Sequence, residues 1–284
     1  MSALPPWFAP LAALTISAVM LSIGLLLGRE PIAAALQRRM LVIAIVFAVI
    51  VAVPVLALLF VLLTGLRGVV AAGILLMAVS PGAPVALRRA IDVGGRVFIA
   101  PALHLAIVTT AVVSVPLSIA VLDLIVAGSF SVSPAQVARQ VFVAQLLPLG
   151  VGAAVRALWP NVTSRIEPRL ASVANLLLIV LLVVCVIVLR RLLAEVGWMP
   201  FVGGLVLTVC ALGVGTAAAG RDRVIRRQAA VAAAMRNPGL ALLVASVNGM
   251  PPAVTASIVG YALGATAVVT AYVVWQERTG TANA

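Results

Sequence analysis

Charged side chains are scarce in this 284-residue sequence, and lysine is absent from it. Only 9% of the residues are charged, against roughly a quarter in a typical soluble domain. A soluble chain of this length needs far more polar surface to cover its core, so the composition excludes an ordinary soluble protein. Charge-free stretches recur, each long enough to cross about 30 Å of hydrocarbon as a helix. The sequence therefore predicts an all-α polytopic membrane protein.

The sequence also has little from which to build a catalytic or metal centre. It contains one histidine and seven acidic residues, with no Walker loop, no zinc-ligand spacing and no nucleophile–histidine–acid set. We therefore expect no enzyme activity, no ATP-driven pumping by this chain, no cofactor and no bound metal. The formal charge of +12 comes from arginines clustered between apolar stretches, which indicates membrane orientation and not nucleic-acid binding.

Charge-free runs predict about nine transmembrane helices in a single transporter domain over residues 1–284. The predicted spans are approximately 7–28, 40–64, 68–87, 97–122, 135–159, 170–189, 196–219, 228–247 and 250–274. Fourteen arginines fall in one set of alternate loops and tail, and four (Arg67, Arg139, Arg190 and Arg191) fall in the other. Because positive loops stay in the cytoplasm, we expect a multi-pass protein of the cell inner membrane with its N-terminus outside and its C-terminus inside.

Two predicted spans are interrupted in the same way. The two triplets are Ser80-Pro81-Gly82 in span three and Asn237-Pro238-Gly239 in span eight. In each, a residue that can cap a helix precedes a proline suited to the first helical position, so one half-helix should end and another begin. A single such triplet would indicate only a kink, since proline and glycine are common in membrane helices.

The placement of the two triplets predicts internal symmetry. They lie five spans apart, and an odd offset reverses the direction of the chain through the bilayer. We therefore predict inverted repeats over about 7–127 and 168–275, joined by a connecting span at about 135–159. Paired interrupted helices in corresponding halves point to a transporter site where the two discontinuous helices cross.

Arg236 is the strongest single signal for that site, because it lies inside a span. An arginine near the bilayer centre costs about 2.5–3.5 kcal/mol on insertion scales, and such residues are functional candidates by default. Its guanidinium can meet the carbonyls at the end of the first half-helix, or bind a carboxylate or sulfonate. A structural role that only ties down the broken backbone is the alternative, and the two roles are compatible.

His104 is the only histidine and lies within span four. Its unperturbed pKa near 6.5 suits proton coupling, although a lone histidine in a span is often only a hydrogen-bonded packing residue. Shifting Ser80 onto Asn237 moves the register by 157 residues and places His104 opposite Tyr261. The candidate substrate-binding residues are Arg236, Asn237, Gly239, Ser80, Gly82, Pro84 and Tyr261. The candidate coupling residues are Arg236 and His104.

At these positions the sequence resembles the bile acid:sodium symporter family. The likeness covers nearly the whole chain, from Met20-Leu21-Ser22-Ile23-Gly24-Leu25 and the basic loop ending Arg38-Arg39, through Pro54, to both interrupted segments. Residues 235–241 read Met-Arg-Asn-Pro-Gly-Leu-Ala, which is similar to the family's Met-Gln-Asn-x-Gly-Leu-Ala. The resemblance implies a panel-plus-core architecture, alternating access around two crossed helices, and carriage of organic anions such as bile acids, pantoate or 2-oxo acids.

The sequence departs from the family where relatives bind sodium. The family has glutamate and glutamine at the positions of Ala232 and Arg236, and other oxygen-bearing side chains at the remaining replaced positions. Those remaining positions are Val49, Ala86, Leu87, Ala100 and His104. The oxygen ligands that a hard cation requires are therefore missing, whereas Asn237, which contacts substrate in relatives, is retained.

These observations together predict a secondary transporter of an organic anion that works without the family's sodium sites. It would be either proton-linked or a facilitator, with Arg236 in place of the cation. The expected partners are the lipid bilayer, one small organic anion and, in the proton-linked case, protons. The alternatives are a sodium-coupled symporter that uses backbone carbonyl ligands, and a non-transporting membrane sensor or channel.

Overall fold

The computed structural model describes residues 5–27, 30–83, 99–126 and 132–281. Within these residues the secondary structure is helical, and no strand occurs. In chain order the helices are α1 (Phe8–Gly24), α2 (Glu30–Gln37), α3 (Arg39–Phe47), α4 (Val53–Thr64), α5 (Gly68–Ala78), α6 (Ile99–Ile125), α7 (Pro134–Val141), α8 (Leu147–Leu158), α9 (Pro160–Val188), α10 (Arg190–Val196), α11 (Met199–Ala218), α12 (Arg223–Ala234), α13 (Pro238–Val247) and α14 (Pro252–Thr281). Short π-helical segments, Ala48–Ala52 and Phe142–Leu146, join α3 to α4 and α7 to α8.

Seven helical segments of the described residues are long and apolar enough to cross a membrane. They are Arg39–Thr64, Ala100–Ile125, Pro134–Leu158, Pro160–Val188, Met199–Ala218, Arg223–Val247 and Pro252–Arg278. The prediction of an all-helical, multi-pass protein is thereby confirmed. The predicted count of nine is not, because α1 and α5 are apolar but have only 17 and 11 residues.

The helices pack as two groups. The first bundle consists of α1 with α7, α8 and α9, in which α1 lies against both α8 and α9. The second bundle consists of α3 to α6 and α11 to α14, in which α11 packs against α4, α12 and α14, and α5 packs against α14. The bundles meet where α1 lies against α13, where α6 lies against α7, and where α9 lies against α14. Helices α13 and α14 therefore supply two of these three contacts between the bundles.

Proline explains the π-helical segment between α3 and α4. The N–H of Val53 bonds to the carbonyl of Ala48, five residues back. In that register the next donor would be residue 54, which would bond to Val49, but Pro54 has no N–H to donate. The carbonyl of Val49 is thus left without its helical donor inside a closely packed span, and a buried carbonyl of this kind requires a partner from elsewhere.

Candidate functional site

The two interrupted segments lie in contact with each other. Helix α5 ends at Ala78 and α12 ends at Ala234, and residues 80–83 and 235–237 are not helical. The main-chain N–H of Asn237 donates to the carbonyl of Ser80 at 2.9 Å. The side-chain Nδ2 of Asn237 donates to the carbonyl of Gly82 at 3.4 Å. The backbone groups that the two interruptions release are therefore paired, in part, with one another, as an apolar environment demands.

Asn237 begins the second half of the interrupted span. Its Oδ1 accepts the N–H of Leu240 at 3.1 Å, and Pro238 occupies the first turn of α13. Helix α13 is buried from Gly239 to Ala245. Its N-terminus, where N–H groups and the positive end of the helix dipole gather, therefore lies inside the protein beside the first interruption.

Ser80 behaves differently from Asn237. It is fully buried, and its hydroxyl donates to the carbonyl of Leu76 at 2.7 Å, which closes the last turn of α5. Gly82 has a φ of +77°, a backbone conformation that side-chain-bearing residues rarely adopt. The half-helix expected after Pro81, together with Pro84, Ala86 and Leu87, lies outside the described residues.

The Arg236 guanidinium connects the second interruption to another span. Its Nη1 donates to the carbonyl of Val49 at 3.0 Å, and its Nη2 donates to the carbonyl of Ala233 at 2.9 Å. The first carbonyl is the one that Pro54 leaves without a helical donor, and the second lies in the last turn of α12. Arg236 is 4% exposed, and no carboxylate of the described residues pairs with it. A full positive charge is thus held at the break by neutral main-chain oxygens.

A cavity of about 220 Å³, which we call the crossing cavity, adjoins the second interruption. It lies between α9 of the first bundle and α14 of the second. Its lining is Met77, Ala83, Leu178, Ile179, Leu182, Met235, Arg236, Asn237, Pro238, Ala262, Ala265, Thr266, Val269 and Thr270. An apolar concavity with a few convergent polar groups is the usual form of a site for a small organic molecule.

A second cavity of about 390 Å³ lies near the other end of α13, and we call it the amide cavity. It is lined by Ala13, Gln136, Arg139, Gln140, Val143, Ala144, Leu243, Val247 and Asn248. Between the two cavities α1 packs on α13. There a Cβ added to Gly239 would lie 2.8 Å from Cγ1 of Ile16, so only glycine allows this approach. Both cavities therefore border the junction of the two bundles.

His104 and Tyr261, which the register shift pairs, are both buried but not joined. His104 lies on α6, and its Nε2 has no hydrogen-bond partner in the described structure. Tyr261 lies on α14 near Arg236 and Thr208. No hydrogen bond among the described residues connects His104 to Tyr261 or to either interruption. The structure thus brings Tyr261, Ser80, Gly82, Asn237 and Gly239 close to Arg236 or to the crossing. His104 makes no bond to them, although Val108, one turn further along α6, lies against Gly82.

Sequence reasoning missed several residues at this site. Val49 was expected only as a position where relatives bind sodium, and the acceptor role of its carbonyl was signalled by Pro54, five residues later. Thr266 and Thr270 line the crossing cavity, and their spacing of four residues on one helical face was the available signal. The polar lining of the amide cavity was signalled by Gln136, Arg139 and Gln140, which share a face of α7.

Comparison with known proteins supplies a family. The model of the Sodium Bile acid symporter family matches residues 13–196. The matched region contains the first interruption and the π-helical segment that Arg236 contacts, and it ends before the second interruption. We found no curated protein that matches the sequence.

Proposed function

Because the chain belongs to the sodium bile acid symporter family, and is therefore a membrane transporter, we propose that it carries a small organic anion without using sodium. The observation that carries this proposal is the pair of hydrogen bonds from Arg236 to the carbonyls of Val49 and Ala233. They hold a permanent positive charge at the crossing of two interrupted segments. The bound cation of a symporter is thereby replaced by a side chain.

The packing of the helices supports transport by alternating access. We assign the first bundle as the panel and the second as the core, with the two interrupted segments in the core as parts of inverted repeats. The crossing cavity and the amide cavity lie at opposite ends of α13, along the junction that would open on one side as it closes on the other. By the distribution of arginines, the amide cavity faces outside and the protein lies in the inner membrane with a cytoplasmic C-terminus.

The crossing cavity suits an anion with a partly apolar body. The N-terminus of α13 and the nearby guanidinium both favour negative charge, and Asn237 stands at the end of that helix with one amide hydrogen still to donate. The remaining lining is mostly alanine, leucine, isoleucine and methionine, with two threonines. We therefore assign Arg236, Asn237, Gly239, Ser80, Gly82 and Tyr261 to the surroundings of the anionic group, and Pro84 to the same segment.

A sodium ion should bind poorly beside this guanidinium. The carbonyls of Val49 and Ala233 are the kind of hard oxygen ligand that such a cation uses, and Arg236 already occupies them. Two unit positive charges 4 Å apart repel by about 4 kcal/mol at an effective dielectric constant near 20. A structural role for Arg236 is compatible with this proposal, because the hydrogen bonds that satisfy the carbonyls at the interrupted helix also fix the position of the positive charge.

Flux measurements in proteoliposomes test the proposal. Purified protein is reconstituted, a panel of organic acids is first screened by thermal shift, and uptake of those that bind is compared with a sodium gradient and with a choline gradient. We expect uptake rates to agree within about twofold, since no sodium site remains to be filled. Strict dependence on sodium would refute the proposal and favour a symporter that uses backbone carbonyl ligands.

The same vesicles separate a proton-linked carrier from a facilitator. If His104 takes part in proton coupling, an inward proton gradient should drive accumulation of the anion, and a His104→Gln variant should transport without accumulating it. Accumulation that the His104→Gln variant retains would remove His104 from the mechanism. Unitary currents in a planar bilayer, without saturable exchange, would instead identify a channel.

A further inference from the structure

We propose that the amide cavity is a second binding site, for the carboxylate or sulfonate of a soluble organic acid, with Arg139 as its cationic ligand. The site is separate from the crossing cavity and lies between α1 and α7 of the first bundle and α13 of the second. Binding at this site does not depend on transport. In a transporter of organic anions, the site would bind the anion before the anion reaches the crossing cavity.

The polar face of α7 turns toward this cavity. Gln136, Arg139, Gln140 and Val143 follow one another at intervals of three, one and three residues, which places all four on one side of a helix. All four line the cavity. Gln136 and Arg139 are exposed, whereas Val137 and Val141 on the other side of α7 are buried. The cavity is therefore open enough for a soluble ligand to reach the guanidinium.

A hydrogen bond between the bundles orients one of the amides. Asn248 donates through Nδ2 to Oε1 of Gln140 at 3.0 Å, and the same Nδ2 donates to the carbonyl of Val244 at 2.7 Å. The carbonyl oxygen of Gln140 is thus engaged, and its Nε2 group, with two N–H donors, is left for a ligand. The cavity therefore offers the amide donors of Gln140 beside the five N–H groups of a guanidinium.

The charge of Arg139 is not neutralised within the described structure. Arg139 makes no ion pair there, and no carboxylate is among the residues that line the cavity. A guanidinium can bind a carboxylate or sulfonate through two parallel hydrogen bonds. Ala13, Val143, Leu243 and Val247 supply an apolar wall for the body of an organic acid. A lipid phosphate shares the same anionic chemistry, and the experiment below distinguishes the two sources.

Photolabelling tests the site directly, with 4-benzoylbenzoate as a photoreactive carboxylate. The full-length protein is placed in nanodiscs of zwitterionic phosphatidylcholine and irradiated, and labelled peptides are mapped by mass spectrometry. We expect saturable labelling within residues 132–158 or 238–248. In the Arg139→Gln variant, the probe concentration that gives half-maximal labelling should rise by about tenfold or more, because a charge-assisted bond is lost. The Arg139→Lys variant should fall between the wild type and Arg139→Gln.

Arg191→Gln is the matched control, because Arg191 is also exposed, belongs to the same predicted set of loops and lines neither cavity. It should leave labelling unchanged. Equal labelling of the wild type and the Arg139→Gln variant would overturn the proposal. Loss of labelling when phosphatidylglycerol replaces half of the lipid would also overturn it, in favour of a lipid headgroup. The labelling assay measures binding without any gradient. Its result therefore remains valid even if the transport experiment shows no anion uptake.

Discussion

Arg236 shows how a single buried charge is accommodated in an apolar protein. Its acceptors are carbonyls that lack helical donors for two separate reasons, Pro54 in one span and the end of α12 in the other. An unsatisfied buried polar group costs about 1–3 kcal/mol. The hydrogen bonds of Arg236 therefore remove this penalty from the two carbonyls and from its own N–H donors together. The guanidinium therefore repairs the backbone and supplies charge with the same two bonds.

The residue-scale prediction concerns the charge at position 236. Arg236→Gln should lower the melting temperature of the detergent-solubilised protein by several degrees and weaken anion binding by about tenfold or more, because a charge-assisted bond of roughly 1.5–3 kcal/mol is lost. Arg236→Lys should keep part of the binding, since it keeps the charge. Scanning fluorimetry and anion-dependent thermal shifts give the two readouts.

The Arg191→Gln variant again serves as the control, and it should match the wild type in both readouts. If Arg236→Gln loses stability but binds the anion as tightly as the wild type, the arginine has a structural role only. Full anion flux through that variant would likewise remove the guanidinium from the transport mechanism.

At the scale of elements, the junction of α1 and α13 depends on the absence of one side chain. A Cβ on Gly239 would lie 2.8 Å from Cγ1 of Ile16, which is closer than packed carbon atoms approach. Cγ1 is an inner atom of the branched isoleucine side chain, so it cannot move aside as the end of a long flexible side chain can. The two helices must therefore separate or tilt if residue 239 acquires a methyl group, and the wall between the two cavities would move with them.

Gly239→Ala should accordingly reduce both stability and anion flux, because overpacking at a close contact costs about 1–3 kcal/mol. Gly213→Ala is the matched control, since a Cβ at Gly213 meets no atom within 4 Å, and it should be neutral or slightly stabilising. Trimming the facing residue, in the double variant Ile16→Ala with Gly239→Ala, should restore part of the loss. A Gly239→Ala variant as stable and as active as the wild type would contradict the described contact.

At the scale of the whole molecule, two cavities border the junction of two bundles and α13 runs between them. Helix α13 has ten residues, so its ends are about 15 Å apart. If the bundles move relative to one another, one cavity can open toward its side of the membrane while the other closes. The proposed orientation assigns the amide cavity to the outside and the crossing cavity to the cytoplasmic half.

Cysteine accessibility tests that assignment. In a background without Cys185 and Cys210, a membrane-impermeant thiol reagent should modify Val247→Cys from outside right-side-out vesicles. It should modify Thr270→Cys only in inverted vesicles, because Thr270 lines the crossing cavity. Modification of both cysteines from the same side, in the absence of substrate, would rule out the proposed arrangement of the cavities.

Much of the architecture could be predicted from the sequence because it depends on local chemistry. Hydropathy over about twenty residues identifies membrane helices, and this correctly gave a helical, multi-pass protein. The interruption before α13 follows from Asn237, Pro238 and Gly239 alone, since a capping side chain and a proline act on their own turn. The same reasoning was less successful at Ser80, which was predicted to cap the following helix. Its hydroxyl instead donates to the carbonyl of Leu76 in the preceding helix, as short polar side chains often do.

The sequence by itself determined the helical class, the polytopic character and the places where two spans could break. The tertiary structure alone decided that the breaks touch, that Arg236 reaches the carbonyl of a residue 187 positions earlier, and that cavities form near both ends of α13. The reason is physical: helix formation and capping are settled within a few residues, whereas the partner of a buried donor is settled by the packing of distant spans.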